Sequence, residues 1–174
     1  LKLGPAGVPL SCKGRTIVEG MDDITTLGLD AMEIQTVRSV QPKNFDQYWQ
    51  AGILSWNSEL EMNMHGPYYA ELLGNKRERN RTLSKMETSL QAGKIINARH
   101  LTFNVGPYAE YEPGEEANEQ VANVMAGVVD RVREVWGVAE EEEDYSAFPW
   151  VHEAEPSLVG IETSGTGSYT HLTL

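Results

Sequence analysis

The fold is decided by Leu60-Glu-Met-Asn-Met-His65, a short and largely apolar run that ends in a histidine, and by Leu158-Val-Gly-Ile-Glu162, which ends in a glutamate. Runs of this length and composition are typical of buried strands. A loop follows each run at once, Gly66-Pro67 after the first and Thr163-Ser-Gly165 after the second. Polar side chains that end buried strands, between helical segments, are typical of an active site on a (β/α) barrel.

The rest of the chain alternates apolar runs with amphipathic stretches, which indicates βαβ units and a parallel sheet. We predict five strands, at Leu1–Pro5, Asp30–Val37, Glu61–His65, His100–Asn104 and Ser157–Glu162. We predict four helices between them. The first runs from Thr16 to about Gly28, and the second begins at an Asn44 cap and carries the apolar stripe of Trp49 and Trp56. The third and fourth cover about Lys76–Asn97 and about Glu115–Trp136.

Right-handed crossovers wind such units into either an open sheet or a barrel. The first loop, Gly4-Pro-Ala-Gly7, lacks the glycine spacing of a dinucleotide site, and the chain contains no P-loop. The barrel is therefore favoured. We predict an α/β fold that is an incomplete TIM (β/α)8 barrel, comprising about the first five βα units.

The charge and composition limit the possible partners and location. The chain has 174 residues and a formal net charge of -12, whereas nucleic-acid binding normally depends on a basic surface. The negative net charge argues against a large DNA-binding surface, although a local basic patch can exist on a chain that is acidic overall. No apolar run approaches the ~18 residues of a membrane span. No export signal is visible and Cys12 is the single cysteine, so we expect a cytoplasmic protein without a membrane partner.

Five short motifs carry a resemblance to a known family. They are Leu3-Gly-Pro-Ala-Gly7, Ala31-Met-Glu-Ile-Gln35, Met64-His-Gly-Pro-Tyr-Tyr69, Leu101-Thr-Phe-Asn-Val-Gly106 and Val159-Gly-Ile-Glu-Thr163. In this order the chain resembles the xylose isomerase-like TIM barrels over roughly residues 1–165, and most of all archaeal members of the endonuclease IV group. The resemblance implies DNA repair: hydrolysis of the DNA backbone at abasic sites in double-stranded DNA, with up to three Zn²⁺ ions. Related sugar or sugar-phosphate isomerases and epimerases imply the alternative, a small sugar substrate and one Mn²⁺ or Mg²⁺ ion.

The resemblance assigns metal ligands residue by residue. His65 matches the histidine ligand of the third barrel strand, and Glu162 matches the glutamate of the fifth, which is also the candidate catalytic carboxylate. Neutral imidazole and carboxylate are good zinc donors. Asn104 departs from the pattern because that group usually has a histidine there. Asparagine is a poor zinc ligand, and this departure, like the acidic surface, favours the isomerase alternative.

Four further residues are candidates for lining the site. Glu33 interrupts an apolar run and either lines the barrel mouth or pairs with Arg38 or Lys13. Tyr68 either stacks on a sugar or base or packs under the following loop. Arg15 and Arg38 either contact a phosphate or form surface salt bridges.

The last residues, Ser168-Tyr-Thr-His-Leu-Thr-Leu174, continue no barrel pattern and resemble a translated sequencing-adapter tail. We therefore expect a partial barrel domain over residues 1–167 and a non-native tail over residues 168–174. The ligands that the family carries on later strands are then missing. The third interpretation of the chain is an inert, truncated half-barrel.

Overall fold

A computed structural model of the chain describes residues 1–41, 44–137 and 158–162. Within these ranges helices and strands alternate in the order α1 Ile17–Leu27, β1 Ala31–Gln35, α2 Phe45–Ser58, β2 Glu61–His65, α3 Lys76–Ile95, β3 Ala98–Asn104, α4 Glu115–Gly137 and β4 Leu158–Glu162. The strands form one parallel sheet in sequential order, β1-β2-β3-β4. This confirms the predicted α/β class and the βαβ connectivity.

The predicted first strand, Leu1–Pro5, is present only as an irregular extended segment that pairs with β1. The Ala31 amide donates to the Leu3 carbonyl at 3.1 Å, the Glu33 amide donates to the Pro5 carbonyl at 3.0 Å, and the Gly7 amide donates to the Glu33 carbonyl at 2.8 Å. One parallel bridge results, between Ala6 and Glu33. A full ladder needs an amide donor at residue 5, and proline has none. The segment still lies where the first barrel strand was predicted.

Local capping chemistry sets the helix ends. Thr16 and Glu19 form the predicted capping box at the start of α1, and Gly28 ends that helix in the left-handed conformation at φ 72°. The prediction that Asn44 caps α2 is only half right: it stands at the N-cap position, but its side chain makes no capping hydrogen bond. That side chain hydrogen-bonds to the Tyr48 hydroxyl group instead.

Successive strand residues point to opposite faces of the sheet, so the sheet has one apolar and one polar face. The apolar face carries Met32, Ile34, Met62, Met64, Leu101 and Phe103, all buried in the core that the helices cover. The opposite face, called the inner face here, carries Glu33, Asn63, His65, His100, Thr102 and Asn104. In a barrel the inner face lines the interior below the active-site mouth.

The long helix α4 packs a row of valines against the core. Val128 is buried, and Val121 and Val124 are half-buried against the core. None of the helices in the described ranges is long and apolar enough to cross a membrane.

Candidate metal and substrate site at the carboxyl edge

All four strands run in the same direction, so their carboxyl ends share one edge of the sheet, called the carboxyl edge here. The register pairs Gln35 with His65, His65 with Thr102, and Asn104 with Glu162. His65 and Glu162 therefore end strands that are two positions apart, about 10 Å across the sheet. Asn104 ends the strand between them. The structure thus brings the two predicted metal ligands and the departing asparagine to one edge.

The Nδ1 atom of the His65 imidazole is hydrogen-bonded to the backbone. It lies 2.9 Å from the carbonyl oxygen of Gly66. A carbonyl oxygen only accepts, so Nδ1 carries the proton and the Nε2 atom of the neutral ring has the lone pair that a metal ligand or general base needs. Metal-binding histidines commonly have this second hydrogen bond to a carbonyl or carboxylate.

The backbone around His65 is fixed from both neighbouring strands. The His65 carbonyl accepts from the Thr36 amide at 3.0 Å and from the Thr36 hydroxyl at 2.9 Å. The Gly66 amide donates to the Thr102 carbonyl at 2.8 Å. A Cβ atom on Gly66 would lie 2.3 Å from the ring of Phe103, which is fully buried. Only glycine allows the loop after His65 to approach β3 this closely.

Asn104 is buried without a hydrogen bond. Its side chain is 1% exposed, and neither its Oδ1 nor its Nδ2 atom has a partner in the described part of the chain. Leaving a buried polar group unsatisfied costs about 1–3 kcal/mol. The carbonyl oxygen of an amide suits hard cations such as Mg²⁺, and both of its polar groups suit the hydroxyl groups of a sugar.

Glu33 faces the barrel interior one step below His65, as the register of β1 and β2 shows. It is half-buried, and the Gln35 side-chain amide donates to it at 3.5 Å. In the residues that the structure describes it forms no ion pair with Arg38 or Lys13.

Exposed aromatic and basic side chains surround the carboxyl edge. Tyr68 is 54% exposed and meets Tyr69 edge to face at a ring distance of 5.5 Å, so it does not pack under the following loop. Arg15 lies in the loop before α1 and Arg38 in the loop after β1, and both are exposed. Neither arginine has a salt bridge within the described ranges.

His100 lies away from this edge. Its Nδ1 atom is 3.0 Å from the Asn63 side-chain oxygen and 3.9 Å from a Glu61 carboxylate oxygen, toward the amino ends of the strands. His100 therefore does not substitute for the histidine ligand that the resemblance would place at residue 104. Within the described ranges, no three His, Cys, Asp or Glu side chains are grouped so that they could hold a metal ion. The donors at the carboxyl edge therefore fit a divalent cation in kind, but they are fewer than a closed site needs.

Several solved (β/α) barrels share this arrangement of strands and helices. The apo form of 3-keto-D-glucoside 4-epimerase from E. coli is similar at a TM-score of 0.58 and 12% identity, covering 90% of this chain and 55% of that one. A Thermus thermophilus protein soaked with ZnCl2 gives 0.57 and 18%, covering 91% and 56%. Endonuclease IV from Thermus thermophilus gives 0.51 and 18%, covering 91% and 62%. No family model and no curated protein matches the sequence.

The fold is that of a TIM barrel, as predicted, and the solved structures that share it include a sugar epimerase, a xylose isomerase domain protein and endonuclease IV. The chain spans a little more than half the length of these barrels, 55% of the epimerase and 62% of endonuclease IV, and corresponds to an incomplete barrel. Because sugar epimerases and endonuclease IV both have this fold, the fold alone does not choose between a sugar and DNA as the substrate.

Proposed function

We propose that this chain supplies the first half of the active site of a divalent-metal-dependent endonuclease that hydrolyses DNA at abasic sites. The observation that carries the proposal is His65, which ends β2 at the carboxyl edge with its Nδ1 proton directed to the Gly66 carbonyl. The sequence around it, Met64-His-Gly-Pro-Tyr-Tyr69, resembles the corresponding motif of the endonuclease IV group. The division into a barrel domain at 1–167 and a foreign tail at 168–174 belongs to the same proposal, and the tail lies outside the described residues.

The chemistry divides between the ion and the chain. A bound Zn²⁺ would supply a water of lowered pKa and polarise the phosphoryl oxygen. His65 would hold the ion through Nε2 and Glu162 through its carboxylate, which would also accept the proton of the attacking water. Arg15 and Arg38 hold the phosphates on either side of the scissile bond. Tyr68 stacks on the base or sugar next to the abasic site.

Asn104 favours a second candidate function, a sugar or sugar-phosphate isomerase or epimerase. Its buried amide has no partner in the described residues and offers one donor group and one acceptor to a polyol. Here one Mn²⁺ or Mg²⁺ would orient the sugar and stabilise negative charge, and Glu162 would remove a proton bound to carbon. The acidic net charge of -12 agrees better with an uncharged substrate than with DNA.

Metal binding by the 174-residue chain tests both functions at their common step. We expect Zn²⁺ binding in a calorimetric titration of the purified chain, weakened at least tenfold by His65→Ala. His100→Ala is the control, because it also removes an imidazole from the inner face. His100 pairs with Asn63 and so lies nearer the amino ends of the strands. This variant should leave the affinity for Zn²⁺ unchanged. Equal loss in both variants, or no loss in either, contradicts the assignment of His65 as a ligand.

The reaction is tested separately on the same preparation. A Zn²⁺-dependent nick at a single abasic site in a labelled duplex supports the nuclease. Exchange of deuterium from solvent into a ketose with Mn²⁺ supports the isomerase. Metal binding without either reaction supports the inert half-barrel.

A further inference from the structure

The first turns of α3 carry an exposed row of cations, called the basic row here and formed by Arg77, Arg81 and Lys85. Residues four apart lie above one another on a helix, so the three side chains share one face. Arg77 and Arg81 are exposed, and Lys85 is half-buried. The row extends over about 12 Å of the helix axis. It opposes the overall charge of the chain, which is -12.

The basic row has no anionic partner in the described residues. None of its members has a carboxylate within salt-bridge distance. The neighbouring acid, Glu78, instead accepts from the Asn75 amide in the capping box of α3. Like charges four residues apart destabilise a helix, and cations in its first turns oppose the helix dipole. Within the described residues the row therefore adds no ion pair to the fold, and its charges are available to an anionic partner.

The position of the basic row connects it with the candidate site. The Lys85 Nζ atom donates to the Tyr69 carbonyl at 3.4 Å. Tyr69 and Tyr68 belong to the loop that follows His65, and both rings are more than half exposed. Because α3 follows the loop that leaves β2 at the carboxyl edge, Arg77 is the member of the row nearest that edge. Lys85, the last member, lies next to the loop that carries the aromatic pair.

We infer that the basic row binds the phosphate backbone of duplex DNA. A single phosphate cannot contact three cations spread over about 12 Å, whereas duplex DNA presents one charge per ~1.7 Å of its axis. The exposed tyrosine pair offers stacking to a base or sugar at one end of the row. The inference rests on the nuclease form of the proposed function and adds its contact surface, since no residue of the row belongs to the predicted site.

The test measures the fluorescence anisotropy of a labelled, undamaged DNA duplex as the full chain is added. The titration is done at low ionic strength and with a chelator present. Arg77→Gln with Arg81→Gln is compared with Lys2→Gln with Arg99→Gln, two exposed cations near the amino ends of the strands. Each pair changes the net charge from -12 to -14. We expect about tenfold weaker binding from the row variant, and a dependence of log K on log salt that is shallower by about 1.8. The matched pair should bind like the parent.

Two further measurements complete the design. Arg77→Lys with Arg81→Lys preserves the charge and should preserve the salt dependence, and circular dichroism of every variant verifies that α3 forms. Inorganic phosphate at matched ionic strength should not compete. Equal weakening by both neutralising pairs, competition by phosphate, or a parent chain that binds no duplex overturns the inference.

The outcomes are separable from those of the proposed function. Binding here needs neither a metal ion nor an abasic site, so a chain that binds through the row but does not nick disproves only the nuclease activity. A chain that nicks an abasic duplex equally well with and without the row disproves only the contact surface.

Discussion

The Nδ1 atom of His65 lies 2.9 Å from the carbonyl oxygen of Gly66, the next residue in the chain. Gly66 in turn approaches β3 so closely that its amide bonds to the Thr102 carbonyl at 2.8 Å. One glycine thus fixes both the tautomer of the candidate ligand and the position of the loop that follows it. This relationship makes the residue after His65 as important to the site as the histidine itself.

Gly66→Ala is expected to destabilise the protein. The added Cβ atom would lie 2.3 Å from the Phe103 ring, which is fully buried, so the ring or the loop would have to shift. Overpacking of this kind costs about 1–3 kcal/mol, which urea denaturation measures directly. Gly114→Ala is the matched control because a Cβ atom there meets nothing within 4 Å. Equal stability of the two variants would show that the close approach of the loop to β3 is absent.

Asn104→Leu is expected to stabilise the protein by about 1–2 kcal/mol in the same experiment, because it removes two buried polar groups that have no partner in the described residues. The matched control is Asn63→Leu, on the same face. The Asn63 side-chain oxygen accepts from the His100 amide at 3.1 Å and lies 3.0 Å from its ring, so its loss should destabilise. If Asn104→Leu raises the free energy of unfolding and also abolishes metal or substrate binding, the asparagine is present for function at a cost in stability. Destabilisation by Asn104→Leu would mean that the amide is satisfied.

The elements could be predicted from the sequence where local chemistry decides them. Thr16, Glu19 and Gly28 fix the ends of α1 within a few residues, and the runs that end in His65 and Glu162 are strands at the predicted positions. The carboxyl edge followed from parallel pairing alone.

Other features depend on contacts that no local pattern reveals. Pro5 removes one amide from the first strand, and this matters only because Ala31 lies opposite it. Trp56 belongs to the apolar stripe predicted for α2, yet it is 39% exposed because it stands in the last turn of that helix, near the amino ends of the strands. The unpaired amide of Asn104 and the close approach of Gly66 likewise arise from tertiary packing. The spacing of the basic row can be read from the sequence as cations four residues apart, but its exposure and its lack of ion pairs in the described residues come from the fold.

Tyr48 should make the stability of the protein sensitive to alkaline pH. Burial raises the pKa of its hydroxyl group above the usual value of 10.0, and the hydrogen bond with the Asn44 side chain lowers it by a smaller amount. A raised pKa means that the folded state retains this proton more strongly than the unfolded state, so stability is fully present below about pH 10. It is lost as the pH rises from there through the folded pKa. Tyr48→Phe should reduce this loss, whereas Tyr108→Phe, at an exposed ring, should not.

Arg81→Gln is expected to stabilise the protein slightly. The substitution removes the like-charge contacts with Arg77 and Lys85, each of which costs about 0.2–0.5 kcal/mol in a helix. The free energy of unfolding should rise by about that amount for each contact at low salt, and the gain should shrink as salt screens the charges. Arg38→Gln removes one exposed cation from a loop and is the matched control for the change in net charge. An equal gain in stability in both variants would mean that the effect comes from overall charge. A gain confined to Arg81→Gln would mean that the basic row lowers the stability of α3, as expected of a surface kept for binding rather than for folding.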